Sequence, residues 1–169
     1  MNASANNLPM KQQMTSSGFT LIELMVTIAV LAIIVSIAAP NISTQLANQR
    51  VKSTAATLAN ALKEAKVESI IRRQNVEIIY NANVTPKTLT LRANSNTISS
   101  YNMNSKSSIT QKITPANVTK IVFQPDKTIA NGATMLYTIC DSGSKNETPK
   151  QVSLTRIGNV ETISAGNCS

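Results

Sequence analysis

The chain has 169 residues and a formal net charge of +8, with 16 Lys and Arg against 8 Asp and Glu, and it contains no His and no Trp. This length suits one modest globular domain plus a membrane segment and argues against a large enzyme. The positive side chains are scattered, which indicates solubility and an acidic partner rather than a dedicated nucleic-acid interface.

The first 17 residues are polar, contain no hydrophobic run and carry a single charge, Lys11. Such a segment is typical of a leader and not of a folded element.

An apolar stretch follows at residues 19–39, and its only charged side chain is Glu23. About 20 apolar residues in a helix are long enough to cross the hydrocarbon core of a bilayer. An uncompensated acid inside a membrane helix costs a few kcal/mol even by lower estimates, so we expect Glu23 to have a functional partner. Pro40 ends the stretch, removes a backbone donor and predicts a kink.

The next segment, residues 40–73, has the spacing of an amphipathic helix that ends near Arg73. Arg72 and Arg73 would be favourable at the carbonyl end of this helix. The apolar positions, which recur every three to five residues, are Ile42, Leu46, Val51, Ala55, Leu58, Leu62, Ala65 and Ile70.

After Arg73 the hydrophobic period changes to two, and breakers separate short β-branched runs. The connections are too short for crossover helices, so the sheet should be antiparallel. The predicted fold class is α+β, a long N-terminal helix packed on an antiparallel β-sheet domain. The predicted strands are residues 76–80, 88–92, 97–103, 108–113, 117–123, 134–139, 151–156 and 159–163.

The two cysteines, Cys140 and Cys168, lie near the end of the chain. One disulfide is the simplest interpretation, because a zinc site needs four ligands and this sequence has no His. The bond would stabilise the fold by about 3–4 kcal/mol on the chain-entropy model. It requires an oxidising compartment such as the periplasm.

The sequence GFTLIEL at residues 18–24, after a polar leader and before an apolar run, resembles the class III signal of type IV prepilins and pseudopilins. The resemblance implies that a prepilin peptidase cleaves between Gly18 and Phe19 and methylates the new amino terminus of Phe19. Glu23 then becomes the fifth mature residue, which in this family is linked to recruitment into the filament. Pro40 falls where the family commonly has its helix kink.

An ordinary secretory signal is the alternative, because Ser36-Ile37-Ala38 before Ala39 supplies an A-x-A-like cleavage site. However, the apolar run is longer than the usual 7–15 residues of such a signal and starts with an acid instead of following a basic stretch. Amino-terminal sequencing distinguishes the two, since a mature chain starting at Ala39 would exclude filament assembly.

The helix, the short strands and the late cysteine pair resemble the group of the minor pilins FimU and FimT and the pseudopilin GspH. The segments at residues 136–141 and 153–158, before Cys168, are most similar to FimU-type proteins. This resemblance implies a minor pilin that primes assembly of a type IV pilus and links tip minor pilins to the major pilin. The implied partners are those pilins, the prepilin peptidase and the inner-membrane assembly platform.

Two other roles in this group stay open. FimT-like proteins bind DNA through a Gly-Arg-x-Arg element near the carboxyl end, but there this chain has Arg156-Ile157-Gly158-Asn159 and no paired arginines. Lys145, Lys150 and Arg156 could give only a diffuse attraction to phosphates that salt weakens, so nucleic acid is a possible but disfavoured partner. A GspH-like pseudopilin of type II secretion would carry the same amino-terminal signal.

The predicted organisation has four parts: a cleaved leader at residues 1–18, an assembly helix at 19–39, an amphipathic helix at 40–73 and a β-rich periplasmic domain at 74–169. The chain would be a single-pass inner-membrane protein before assembly and part of a surface pilus afterwards. We expect no enzyme activity, cofactor or metal, because no catalytic triad or acid-base pair can be assembled from the sequence.

Overall fold

The structure is a computed structural model that describes residues 18–144 and 146–168; within these ranges the side chains of residues 39–41 are not described. The chain divides into two compact units, Met1–Ala39 and Pro40–Ser169, which we describe separately. One helix, α1 (Leu21–Arg72), contributes residues to both units. The predicted leader lies outside the described residues apart from Gly18, and the predicted kink at Pro40 stays a prediction.

Within the second unit, α1 buries one stripe of residues, as its amphipathic spacing predicted. Val51, Leu58 and Leu62 are fully buried, and the same stripe also buries small residues. At both ends of the stripe the apolar residues of the pattern are not buried, since Ile42, Leu46 and Ile70 are 61%, 54% and 37% exposed. The buried small residues of this stripe are Ala47, Thr54, Ala55, Ala59, Ala61, Ala65 and Ser69.

The helix ends in a backbone cap that fixes where the chain turns into the sheet. The N–H of Gln74 donates to the carbonyl of Ser69, and the N–H of Arg73 donates to that of Ile70, both at 3.3 Å. Arg73 has φ of 52°. These are the two hydrogen bonds of a Schellman motif, with arginine where glycine is usual.

The strands form two four-stranded antiparallel sheets in place of the single sheet expected from the sequence. The first sheet has the order β3-β2-β1-β5 and the second the order β4-β6-β7-β8. The strands are β1 (Val76–Asn81), β2 (Thr88–Ala93), β3 (Asn96–Asn102), β4 (Ser107–Thr114), β5 (Ile121–Phe123), β6 (Thr134–Asp141), β7 (Lys150–Leu154) and β8 (Val160–Ser164).

The chain passes from the first sheet to the second between β3 and β4. The N–H of Met103 donates to the carbonyl of Lys87 (2.8 Å), and the Lys87 ammonium donates to the carbonyl of Ser107 (2.9 Å). Since β4 then pairs with β6 along its whole length, the two sheets are separate ladders. Sequence alternation predicts strands but not which strand is the neighbour.

The strand predicted at residues 117–123 is shorter in the structure and covers only Ile121–Phe123. Pro115 begins a turn in which its carbonyl accepts a hydrogen bond from the N–H of Val118 (3.1 Å). Turn hydrogen bonds of this kind compete with strand pairing, so residues 117–120 stay outside the sheet.

Candidate functional site

The residues at the predicted cleavage position lie just before the first turn of α1. Gly18 is exposed, and a Cβ placed on it would meet no described atom within 4 Å. Phe19 is 80% exposed. The described fold therefore imposes no steric need for glycine at residue 18, and a requirement for it would arise from a protease that must approach the backbone closely.

Thr20 caps the start of the helix. Its hydroxyl oxygen accepts a hydrogen bond from the backbone N–H of Glu23 (3.2 Å), and its carbonyl accepts from the N–H of Leu24 (3.1 Å). Thr20 and Glu23 therefore have the spacing of a capping box, in which Thr is the N-cap and Glu is the third helical residue. No capping role for Thr20 was predicted from the sequence, although the pattern T-x-x-E before an apolar run is a recognised helix-start signal.

Glu23 is exposed in the first turn of α1. Among the described residues, no hydrogen bond or ion pair reaches its carboxylate. The one acid of the apolar segment is thus available for a group that the described chain does not supply.

The segment Leu21–Ala38 has a mean hydropathy of 2.7, none of it is buried, and it is long and apolar enough to cross a membrane. Its two internal hydroxyls bond within the helix, Thr27 to the carbonyl of Leu24 (2.8 Å) and Ser36 to that of Ile33 (2.7 Å). Polar groups satisfied in this way are compatible with lipid or with a dry helix bundle.

In the second unit, an ion pair holds α1 to the end of β6. The Arg50 guanidinium donates to both carboxylate oxygens of Asp141, at 2.7 and 3.2 Å. The Asp141 side chain is fully buried, whereas that of Arg50 is 18% exposed. Hydrogen bonding from Arg50, supported by the N–H of Gly143, lowers the pKa of Asp141 below its ordinary value.

Cys140 and Cys168 form a disulfide, which is the pairing expected from the sequence. The bond attaches the C-terminal segment beside the end of β6. Glu147 lies near both sulfur atoms, within 4.8 Å. Because the sulfurs are joined to each other, they are not thiolates, and the group does not form the thiolate site that zinc would need.

The turn between β7 and β8 depends on Gly158, which has φ of 69°. A Cβ here would lie 2.4 Å from the carbonyl oxygen of Lys127 and 3.1 Å from the ring of Phe123. The Lys66 ammonium donates to the carbonyl of Gly158 (3.0 Å). Packing against the rest of the domain thus explains why glycine occupies position 158, two residues after Arg156.

Residues 13–39 match the family model described as the prokaryotic N-terminal methylation motif. Two crystal structures of the type IV minor pilin FimU of Pseudomonas aeruginosa are 17% identical to this chain, with TM-scores of 0.54 and 0.56. These alignments cover 70% and 72% of this chain and 99% and 96% of FimU. The minor pseudopilin EpsH from the type 2 secretion system of Vibrio cholerae is 12% identical, with a TM-score of 0.52 over 70% of this chain and 99% of EpsH.

None of the curated proteins compared with this chain matches it in sequence. At such low identities the structural likeness establishes the fold, and the motif independently identifies the amino-terminal segment. The chain combines a type IV pilin-like fold with the N-terminal methylation motif.

This pilin-like chain has the predicted α+β fold class. Pilins and pseudopilins are structural proteins, so the prediction that the chain is not an enzyme is confirmed by its motif and fold. The pilin-like chain also has an apolar N-terminal helix that is suited to membrane anchoring and a separate C-terminal domain.

Proposed function

We propose that the chain is a minor pilin that a prepilin peptidase cleaves between Gly18 and Phe19, with methylation of the new amino terminus of Phe19. The observation that carries this proposal is the methylation motif at residues 13–39, placed where the described helix begins with an exposed, capped turn. The peptide bond before Phe19 lies outside the hydrogen-bonded part of the helix. A protease could therefore reach it without unwinding α1.

Glu23 serves in this proposal as the assembly residue. Its carboxylate would pair with the amine of a mature Phe19, in its own chain or in a neighbouring subunit. Two opposite charges in an apolar surrounding are tolerated together far better than either is alone. The absence of a described partner for Glu23 supports this role.

Before assembly the chain would lie in the inner membrane as a single-pass protein with a periplasmic C-terminal domain. The assembly platform would then transfer it into a type IV pilus at the cell surface, with its apolar helix among those of other minor pilins and the major pilin. Within the pilus it would prime assembly and link tip minor pilins to the major pilin. The fold similarity to FimU supports this placement, and the disulfide agrees with a periplasmic domain.

The second candidate is a pseudopilin of type II secretion, which the fold similarity to EpsH favours. A DNA-binding role like that of FimT is supported less well. Gly158 is accounted for by packing, the Lys150 ammonium donates to the Ser164 hydroxyl (2.8 Å), and Lys145 lies outside the described residues.

Two measurements test the proposal. Mass spectrometry of the mature protein should find a methylated amino terminus at Phe19, and a terminus at Ala39 would refute processing as a pilin. Deletion of the gene should abolish or reduce pili. Loss of protein secretion with normal pili would indicate a pseudopilin, and loss of DNA uptake alone would indicate the DNA-binding role.

A further inference from the structure

The free edge of β8 carries unpaired backbone groups. Strand β8 is the last in the order of the second sheet. The N–H of Ala165 donates to the carbonyl of Pro149 (2.9 Å), and that of Thr155 donates to the carbonyl of Asn159 (3.0 Å). In an antiparallel ladder, residue pairs that are hydrogen-bonded to each other alternate with pairs that are not. Because these two bonds join the residue pairs just beyond each end of the β7–β8 ladder, they show which pairs within the ladder are hydrogen-bonded.

It follows that two residues of β8, Glu161 and Ile163, direct their backbone groups toward β7. The other three residues, Val160, Thr162 and Ser164, direct their N–H and C=O groups to the open side. An edge of this kind is a template for a further strand.

A groove of about 290 Å³ runs between this edge and α1. Lys52, Ala56, Asn60 and Lys63 line it from the helix, at spacings that place them on one face. Its floor is made of small side chains, so an approaching chain can come close to the helix.

Lysines surround this groove. Lys150 and Thr162 line it from the sheet side. In the part of the chain that the structure describes, Lys52 and Lys63 have no ion-pair partner. Glu161 points to the opposite face of the sheet from Thr162, because side chains alternate along a strand. The groove therefore has three ammonium groups, of which that of Lys150 also donates to the Ser164 hydroxyl, and no carboxylate among its lining residues.

We propose that β8 and this groove bind an extended segment of another protein, which adds as a strand to β8 and carries carboxylates at alternate positions. The open backbone groups would supply affinity, and the alternate side chains would face the lysines. Lys52 and Lys63 are separated by about 16 Å along the helix axis. Carboxylates four residues apart on one face of a strand are about 14 Å apart, which is close to this separation.

A second copy of this chain is a poor occupant of the groove, since it would bring the same lysines against these. The phosphates of a nucleic acid could pair with the lysine ammonium groups, but they would not form main-chain hydrogen bonds with the edge of β8. This inference goes beyond the proposed function, because it requires neither cleavage before Phe19 nor filament assembly.

The test uses the full chain purified in detergent micelles and a fluorescent peptide in which Thr and Glu alternate over the length of β8. We expect saturable binding by anisotropy, with slower amide hydrogen exchange at Thr162 and Ser164. A peptide alternating Thr and Lys should not bind. An acidic peptide N-methylated on the amides that would face β8 should bind at least about tenfold more weakly, because two or more main-chain hydrogen bonds are lost.

Variants of the chain locate the binding surface. The double variant Lys52→Glu with Lys63→Glu should weaken peptide binding by about tenfold or more, whereas Lys112→Glu on the exposed face of β4 is the matched control and should have little effect. Thr162→Pro removes an outward N–H without breaking the β7–β8 ladder and should weaken binding as well.

Three outcomes would overturn the proposal. These are no saturable binding of the acidic peptide, equal binding of its N-methylated form, and equal loss of affinity in the Lys112 control. Tight binding of duplex DNA that competes with the peptide and leaves exchange at Thr162 unchanged would assign the groove to nucleic acid instead.

Discussion

At the level of single residues, Thr20 and Glu23 form the capped first turn of α1, and Gly158 fixes the turn between β7 and β8. Glu23 is recognisable because one acid in an apolar run contradicts the composition around it. A capping role for Thr20 could have been predicted from the T-x-x-E pattern, which is a local signal that needs no knowledge of the fold. The role of Gly158 could not be predicted, since the carbonyl that excludes a Cβ belongs to Lys127, which only the fold brings close.

Replacing Glu23 with Gln should reduce the amount of this chain in sheared filaments by roughly tenfold or more, because the pairing with an amine loses its charge. The amount in the membrane fraction should stay unchanged. Quantitative immunoblotting of both fractions measures the effect.

A matched control is Thr27→Val, which alters another polar side chain of the same apolar segment without changing charge. It should assemble normally. If the Gln variant also entered filaments at the normal level, a charged pair at Glu23 would not be needed for assembly.

Replacing Gly158 with Ala should lower the free energy of unfolding by at least about 2 kcal/mol, since a Cβ would overlap the Lys127 carbonyl and left-handed φ disfavours alanine. Thermal denaturation followed by circular dichroism provides the measurement. Gly166→Ala is the control, because no atom lies within 4 Å of a Cβ there. A Gly158 variant as stable as this control would show that the turn adapts at little cost.

At the level of elements, the central part of α1 and most strands were predictable because burial follows a period of 3.6 or two. Strand β6, for example, alternates buried and half-buried residues along its whole length. Ile42 and Leu46 fit the same pattern but are exposed, because periodicity shows which face is apolar and not how far the sheets extend over it. The division into two sheets depends on pairing between β4 and β6, which local patterns do not contain.

The attachment of α1 to β6 through Arg50 and Asp141 makes a pH prediction. The pKa of Asp141 is lowered in the folded state, so the unfolded chain takes up a proton first. The stability that the pair contributes is therefore complete above about pH 4, the ordinary carboxyl range, and is lost as the pH falls through the lower folded-state pKa.

Asp141→Asn should accordingly be less stable than the parent chain at neutral pH, and the difference should shrink below about pH 4. Denaturant unfolding of both proteins across this range gives the comparison. Glu161→Gln, which removes an exposed carboxylate, is the control. Its free energy of unfolding should change with pH in the same way as that of the parent chain. A constant gap between Asp141→Asn and the parent would mean that the variant loses hydrogen bonds to Arg50 and not the effect of the charge.

At the level of the whole molecule, the second unit should fold without the first. In this unit Ala47 is buried, and the side-chain oxygen of Asn48 accepts the N–H of Thr148 (2.7 Å), in the loop between β6 and β7. At this scale the methylation motif could be recognised because it is short and local, whereas the filament assigned in our proposal depends on partners outside the chain.

The chain lacking residues 1–45 should therefore be a soluble monomer with an intact disulfide and weak affinity for duplex DNA at physiological salt. Light scattering, a thiol assay and DNA titration check these properties in turn. Sub-micromolar, sequence-independent DNA binding would favour the FimT-like role over the one proposed. A chain that aggregates would show that the domain requires more of α1.

The cap at Thr20 has a consequence for the charge at the end of the helix. The amino end of a helix carries a partial positive charge, so an amine created at Phe19 would be a cation at the unfavourable end. Glu23 lies in the first turn, where an anion stabilises the helix end and the amine together. Because the Thr20 hydrogen bonds lie after the proposed scissile bond, maturation would change the electrostatics of this end while leaving its backbone geometry as it was.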